Sequence, residues 1–218
     1  KLVENMNDNL YGPLVLAGVS KQKGLHMMYM GTGCIFEYDA NHVCDLSGAG
    51  FTEESKPNFF GSGYSTVKGF TDRLMNEEFA NVVLNVRIRM PISSQNSPRN
   101  FINKMISYKQ ICSIPNSMSV LDDILPCLAQ ALEKGIKGPL NATNPGVIDH
   151  TTILKWYKEL QNPAHTWTEV SNDTLVSTLV KGARSNNYLD TTRIESLFPE
   201  LPTIGASVRH ILETYQFS

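Results

Sequence analysis

The sequence predicts an α/β fold in which helices cover a parallel sheet. Three observations predict it: apolar residues at helical spacing over residues 4–23, a short apolar strand at 25–30, and a helix followed by a β-branched strand over 63–88. A parallel strand needs a crossover before the next strand can lie beside it, and helices usually supply that crossover. This order of elements therefore favours a parallel sheet over hairpins.

The first helix and the first strand both end at glycines. Residues 4–23 are followed by Gly24, a typical stop at the C-terminus of a helix. The strand at 25–30 continues into Gly31-Thr32-Gly33-Cys34, a sharp turn. Because open α/β sheets bind ligands at the carboxyl ends of their strands, this turn is predicted to border a ligand site.

The rest of the chain is predicted to alternate between helices and short strands. In order, we expect a loop at 38–62, a helix at 63–79, a strand at 82–88, a helix at 102–108, a strand at 111–114, a helix at 120–134, a strand at 138–143, and helices at 151–160 and 205–215. The polar, proline-containing stretch at 93–99 is a predicted crossing between two lobes. We therefore expect a sheet domain with a smaller second lobe.

The composition argues against several classes of protein. The formal net charge of −2 comes from interspersed charges without a basic stripe, which argues against nucleic-acid binding. No apolar run reaches the roughly 18 residues that a membrane helix needs. The cysteines stand far apart, and no histidine cluster has ligand spacing, so we expect neither disulfides nor a metal site. A reducing, cytoplasmic setting fits this pattern.

Tyr64 and Lys68 stand four residues apart in the predicted helix at 63–79, so both side chains lie on one face. A nearby ammonium group favours the ionised phenol and lowers its pKa, which suits Tyr64 for donating a proton to a carbonyl oxygen as hydride arrives. The pair alone is weak evidence, because tyrosine and lysine are common on helix surfaces. Thr32 strengthens it, since its hydroxyl can hydrogen-bond the same carbonyl oxygen from the sheet.

Several motifs, in order and at similar spacing, resemble one enzyme family. Three of them resemble the extended short-chain dehydrogenases: Gly31-Thr32-Gly33-Cys34-Ile35-Phe36-Glu37, Gly61-Ser62-Gly63-Tyr64-Ser65-Thr66-Val67-Lys68 and Val86-Arg87-Ile88-Arg89-Met90-Pro91-Ile92. Four more narrow the resemblance to the nucleotide-rhamnose synthases, which are bifunctional epimerase-reductases: Pro98-Arg99-Asn100-Phe101-Ile102, Ile114-Pro115-Asn116-Ser117-Met118, Asn144-Pro145-Gly146-Val147 and Arg184-Ser185-Asn186-Asn187. The match runs over nearly the whole chain.

The resemblance implies a fold and a division of the chain. It implies a partial Rossmann-like, doubly wound parallel sheet, with its N-terminal strands absent, and a smaller C-terminal substrate-binding lobe. Residues 1–92 and 118–146 are then expected to form the C-terminal part of the dinucleotide-binding domain. Residues 93–117 and 147–218 are expected to form the lobe. A homodimer is also implied, because related reductases often pair through the helices at 4–23 and 63–79.

The resemblance further implies a two-stage reaction on a UDP- or dTDP-linked 4-keto-6-deoxyglucose. Carbons C3 and C5 are epimerised, and NADPH then reduces the C4 ketone to give the β-L-rhamnose nucleotide. By motif, Thr32, Tyr64 and Lys68 match the reductase triad. Cys34 and Lys104 match the residues proposed to move protons during epimerisation.

The same resemblance assigns binding roles. Pro91 is expected to contact the cofactor together with the tyrosine and lysine of the triad, and Thr32 to contact the substrate. Arg99, Asn100 and Arg184 are expected to bind the substrate's pyrophosphate, since guanidinium groups suit phosphate geometry. Surface salt bridges are an equal alternative for these charged side chains.

Other interpretations stay open. Taken alone, Cys34 is a small buried hydrophobe, because free cysteine is among the most buried residue types. Lys104 alternatively is a solvated helix residue, and Lys109 is a rival for its role. Two other functions compete: a reductase without epimerase activity, and a non-catalytic regulatory subunit built on the same fold.

The sequence contains no glycine-rich phosphate-binding motif of the form GxGxxG. From the family pattern we expect about 80 upstream residues that carry this motif to be absent, given the ordinary size of βαβ units. We therefore expect these 218 residues alone neither to bind NADPH well nor to turn over.

Overall fold

The structure is a computed structural model that describes residues 1–44, 48–171, 174 and 183–217. In chain order its elements are α1 (Leu2–Met6), a π-helix (Asn7–Tyr11), α2 (Gly12–Lys23), β1 (Met27–Thr32), α3 (Gly63–Glu78), β2 (Val83–Ile88), α4 (Phe101–Ile106), β3 (Gln110–Ile111), α5 (Leu121–Glu133), β4 (Gly138–Asn141), α6 (His150–Leu160), β5 (Thr168–Glu169), α7 (Thr192–Leu197) and α8 (Ile204–Thr214). Among the described residues, no helix combines the length and apolar composition needed to cross a membrane.

The predicted parallel sheet is confirmed. Strands β1, β2 and β4 pair in that order and all run parallel, with Met27 opposite Val83 and Leu84 opposite Gly138. A second sheet, which joins β3 and β5 in parallel, contains a strand that the sequence analysis did not predict. Two-residue strands such as β5 carry too little periodicity to be recognised in a sequence.

Helices cover both faces of the main sheet, as expected for a doubly wound fold. On one face, Ala17 of α2 and Met75 of α3 pack against Tyr29 and Val83. On the other face the apolar side chains of α5 and α7 pack against the alternate residues of β2 and β4, and this cluster includes Leu84, Val86, Ile124, Leu128, Leu140 and Ile194. Successive side chains of a strand point to opposite faces, so β2 serves both clusters.

A separate cluster joins α4, α6 and α8 through Ile102, Ile153 and Val208. These three helices lie in the segments predicted for the second lobe, and the cluster also includes Ile92 and Val120, which lie outside those segments. Helix α7 lies within residues 147–218, which were predicted to belong to the lobe, yet it packs on the sheet. The division at residues 92, 118 and 146 stays a prediction.

The predicted helix over 4–23 contains a π-helical segment at Asn7–Tyr11. Pro13 lacks an N–H group, so it cannot donate the α-helical hydrogen bond to the carbonyl of Asn9, four residues earlier. That carbonyl instead accepts a hydrogen bond from the Thr71 hydroxyl at 2.5 Å and lies 3.5 Å from the phenol oxygen of Tyr29. The break in the helix therefore ties the N-terminal helix to α3 and β1.

A buried ion pair fastens α3 to the sheet. Arg87 of β2 donates to both carboxylate oxygens of Asp72 on α3, through Nε at 2.9 Å and Nη2 at 2.8 Å. Asn85 donates to the same carboxylate at 2.8 Å. The remaining nitrogen of Arg87, Nη1, donates to the backbone carbonyls of Thr52 and Glu53. The same guanidinium group therefore also holds the long loop before α3.

Replacing Arg87 with methionine is expected to lower the free energy of unfolding by about 3–5 kcal/mol, because the Asp72 carboxylate is left buried without its partner. Urea denaturation followed by circular dichroism measures the change. Arg73→Met is the matched control on the same helix, since its exposed pair with Glu77, at 3.3 Å, is expected to contribute less than about 1 kcal/mol. Equal losses in the two variants would contradict the role assigned to the buried pair.

Candidate active site

The first two turns of α3 carry the predicted tyrosine-lysine pair. Ser62 caps this helix by accepting a hydrogen bond from the backbone N–H of Ser65 at 3.0 Å. Tyr64 is 45% exposed, whereas Lys68 is buried one turn later against β1. The ammonium nitrogen of Lys68 donates to the phenol oxygen of Tyr29 at 2.7 Å and to the Met30 carbonyl at 2.8 Å.

The electrostatics of the pair differ from the expectation that Lys68 lowers the pKa of Tyr64. Burial of the phenol and the neighbouring Cys34 raise the pKa of Tyr64, and a hydrogen bond with the Thr32 hydroxyl opposes this rise. The expectation was wrong for this arrangement because Lys68 directs its ammonium group to Tyr29 and Met30. Burial also lowers the pKa of Lys68 to about 8.

The turn after β1 places Thr32 and Cys34 beside Tyr64. The backbone N–H of Cys34 donates to the Thr32 hydroxyl oxygen at 3.1 Å, which orders the turn. Gly33 lies so close to Arg89 that a Cβ atom there would come within 2.8 Å of the Arg89 side chain. Glycine is therefore required at the centre of this turn by close packing.

Buried Arg89 connects this turn to the second lobe. Its Nη1 donates to the Gly33 carbonyl at 3.2 Å, and its Nη2 donates to the Asn116 side chain at 2.5 Å and to the Ser185 carbonyl at 2.9 Å. Nε donates to the Ser117 carbonyl at 3.3 Å. One guanidinium thus gathers three segments that are far apart in the sequence.

A cavity of about 440 Å³ opens at this junction. It brings together four residues that the sequence analysis proposed for the site: Cys34, Pro91, Lys104 and Arg184. The other residues that line it are Phe59, Ser62, Ser65, Met90, Phe101, Met105, Tyr108, Gln110, Ile111, Cys112, His150, Ala183, Ser185 and Asn186. Lys109, the rival of Lys104, is not in this lining.

Arg99 and Asn100 are placed elsewhere, outside the lining of the cavity. Asn100 is buried as the N-cap of α4, where its side-chain oxygen accepts from the N–H of Ile102 and its amide nitrogen donates to the carbonyls of Ser93 and Gln95. These contacts give Asn100 a capping role in this structure. A Pro-x-Asn segment before an apolar helix carries such a signal, so the cap could have been recognised in the sequence.

His150 is a cavity residue that the sequence analysis did not assign. Its Nδ1 lies 2.7 Å from the Cys112 carbonyl oxygen. Because a carbonyl only accepts, Nδ1 carries the hydrogen, which leaves Nε2 as an acceptor. Burial lowers the pKa of His150 and keeps the ring neutral. In the sequence, Asp149 could have been recognised as the N-cap of α6, which would have placed His150 in the first turn of that helix.

Comparisons with known proteins identify close relatives of the chain. It is 48% identical over 217 residues to protein L780 of Acanthamoeba polyphaga mimivirus, covering 100% of this chain and 74% of that protein. The crystal structure of this L780 UDP-rhamnose synthase superposes with a TM-score of 0.92 at 47% identity, over 98% of this chain and 73% of that one. No protein-family model matches the chain.

Two further comparisons extend the similarity. An Arabidopsis thaliana bifunctional dTDP-4-dehydrorhamnose 3,5-epimerase/dTDP-4-dehydrorhamnose reductase is 42% identical over 207 residues, which cover 94% of this chain and 67% of that protein. The structure of a Bacillus anthracis dTDP-4-dehydrorhamnose reductase in complex with NADP shares the fold, with a TM-score of 0.70 at 18% identity over 95% of this chain and 69% of that one. The chain therefore belongs to the nucleotide-rhamnose synthases, the epimerase-reductase branch of the extended short-chain dehydrogenase/reductase family.

Proposed function

We propose that the protein converts a UDP- or dTDP-linked 4-keto-6-deoxyglucose into the β-L-rhamnose nucleotide by 3,5-epimerisation and NADPH-dependent reduction at C4. The observation that carries the proposal is the shared position of Cys34, Lys104 and Arg184 around one cavity, directly beside Thr32 and Tyr64. A reductase alone needs only a carbonyl-binding pair. The additional thiol and amine supply the proton-transfer groups that epimerisation requires.

Both stages use the C4 oxygen of the sugar. Removal of the proton from C3 or C5 places negative charge on this oxygen, and the hydroxyls of Thr32 and Tyr64 stabilise that charge by donating hydrogen bonds. Cys34 and Lys104 are proposed to exchange the carbon-bound protons from different sides of the cavity. Return of a proton to the opposite face inverts each carbon.

The residues of the site fit a nicotinamide cofactor. When bound, NADPH supplies hydride to C4, and Tyr64 donates the proton that completes the hydroxyl. Tyr64, Lys68 and Pro91 are proposed to hold the cofactor. The fit rests on the partly exposed phenol of Tyr64, on the position of Pro91 in the cavity wall, and on the third N–H of Lys68, which has no partner among the described residues.

Arg184 is proposed to bind the pyrophosphate of the substrate. It lines the same cavity, and a guanidinium group can pair with two phosphate oxygens at once. His150, with its neutral ring and fixed Nδ1–H, is suited to accept a hydrogen bond from a hydroxyl of the same ligand. The cavity wall thus offers a positively charged donor in Arg184 and a neutral acceptor in His150. Both suit a substrate that is anionic and rich in hydroxyl groups.

Replacing Cys34 with alanine is expected to slow the incorporation of solvent deuterium at C3 and C5 by on the order of 10²-fold or more, because a proton-transfer group is lost. Reduction of a 4-keto sugar that is already epimerised is expected to continue. Mass spectrometry of the recovered nucleotide sugar measures both. Cys127→Ala, on α5 and outside the cavity lining, is the control. If Cys34→Ala incorporated deuterium at C3 and C5 as fast as the wild type, the proposed role of Cys34 in epimerisation would be wrong.

Replacing Tyr64 with phenylalanine is expected to lower the rate of ketone reduction by on the order of 10²–10⁴-fold, since the proton donor to O4 is removed. The rate is followed by the loss of NADPH absorbance. Tyr11→Phe, at an exposed tyrosine of the π-helix, is the matched control and should reduce the ketone at the wild-type rate. Both variants are compared in the full-length protein, because these 218 residues alone are not expected to turn over. Equal rates in the two variants would remove Tyr64 from the mechanism, and a full-length wild type without turnover would favour a regulatory subunit.

We further propose a cytoplasmic homodimer that pairs through α2 and α3. Exposed apolar side chains on these helices support the pairing, among them Leu16 and Val19 of α2 and Phe70 of α3. Leu16→Glu is expected to shift the protein from dimer to monomer in sedimentation velocity, because a carboxylate is costly to bury in an apolar contact. Lys23→Glu, near the end of the same helix, is the control. A monomeric wild type would overturn the proposal.

A further inference from the structure

Lys68 is held by two oxygen atoms of β1. Its ammonium nitrogen lies 2.7 Å from the phenol oxygen of Tyr29 and 2.8 Å from the Met30 carbonyl oxygen. The Lys68 side chain is only 5% exposed, so water contributes little to its solvation. A buried ammonium group is costly unless acceptors replace the lost water. Among the described residues, the Tyr29 phenol is therefore one of two hydrogen-bond acceptors that make the charged form tolerable.

Tyr29 is itself oriented by the irregular N-terminal helix. Its phenol oxygen lies 3.5 Å from the carbonyl of Asn9, to which Pro13 has no N–H to donate. A phenol hydrogen directed at this carbonyl leaves the oxygen lone pairs for Lys68. Burial and the nearby Tyr64 raise the pKa of Tyr29, so the phenol stays neutral. Tyr29 thus acts toward Lys68 as an acceptor.

We propose that Tyr29 is a positioning residue of the reductase: its phenol oxygen fixes the Lys68 ammonium group and keeps it charged, with the third N–H left for the cofactor. The inference rests on the proposed function. Two other groups favour the charged form, Asp72 on α3 and Cys34 after β1, and Asp72 already binds Arg87. The N-terminal helix faces Tyr29 with the backbone carbonyl of Asn9, a group that does not titrate.

Tyr29→Phe tests the oxygen alone. The ring, whose centroid lies 4.4 Å from the Lys68 nitrogen, is retained, and only the acceptor is lost. Since the charged form loses a hydrogen bond, the titration midpoint of Lys68 is expected to fall by about one pH unit from its wild-type value. Nuclear magnetic resonance of ¹⁵N-labelled lysine side chains in the whole protein measures it, with the Lys68 signal assigned by its loss in Lys68→Met.

Tyr157→Phe is the matched control, because it removes another buried phenol that donates to the Phe217 carbonyl at 3.4 Å in the second lobe. Its Lys68 midpoint is expected to equal that of the wild type. An unchanged midpoint in Tyr29→Phe would overturn the proposal. So would an equal fall in both variants, since the effect would then not depend on the contact with Lys68.

The pH dependence of ketone reduction supplies a second readout. Because the ammonium form of Lys68 is required, activity falls as pH rises through its pKa, and in Tyr29→Phe this fall is expected to begin about one pH unit lower. A uniform loss at every pH would indicate a merely structural role and overturn the proposal. If the full-length wild type does not reduce the ketosugar, the proposed function fails, while the resonance titration still decides whether Tyr29 keeps Lys68 charged.

A measurement on the wild type covers the case in which Tyr29→Phe does not fold. With ¹³C at the ring carbon that carries the tyrosine hydroxyl, the Tyr29 signal is expected to shift with the same midpoint as the Lys68 nitrogen. The Tyr157 signal is expected not to shift in that range. Absence of the Tyr29 step would contradict the contact, and with it the proposal.

Discussion

The buried pair between Arg87 and Asp72 determines where the side chains of the proposed reductase pair, Tyr64 and Lys68, lie. It joins β2 to α3 through two short hydrogen bonds, and the same guanidinium also binds two backbone carbonyls of the loop before α3. Either charge alone would be strongly destabilising in this interior, so strand, helix and loop are restricted to arrangements that keep the pair together. Tyr64 and Lys68 belong to that helix, and their distance from β1 follows from this restriction.

Arg89 imposes a different constraint at the carboxyl end of β2. It forms no ion pair with any residue that the structure describes, and its donors bind neutral oxygens of Gly33, Asn116, Ser117 and Ser185. The net effect is a positive charge behind the turn that carries Cys34. Such a charge favours anionic ligands in the adjoining cavity, such as an enolate or a pyrophosphate.

The sequence predicted the elements better than the side-chain directions. The helix at 63–79 and the strand at 82–88 are confirmed almost to the residue. The glycines that open the helix, the β-branched residues of the strand and Pro91 after it are all local signals. The π-helical segment depended on a carbonyl of Asn9 finding partners in α3, which no local pattern reveals. Likewise, spacing placed Lys68 on the same face as Tyr64 but did not indicate that its ammonium group turns to Tyr29.

The raised pKa of Tyr64 is compatible with its place in both proposed stages. During epimerisation the phenol must donate a hydrogen bond to the enolate oxygen without losing its proton, and burial favours that protonated form. Hydride addition turns the same oxygen into an alkoxide, which is far more basic than an enolate and takes the proton even from a weak acid. Because Tyr64 is a weak acid, it keeps its proton while it faces the enolate oxygen and gives the proton only to the more basic alkoxide. The charge on Lys68 therefore matters most in the reduction stage.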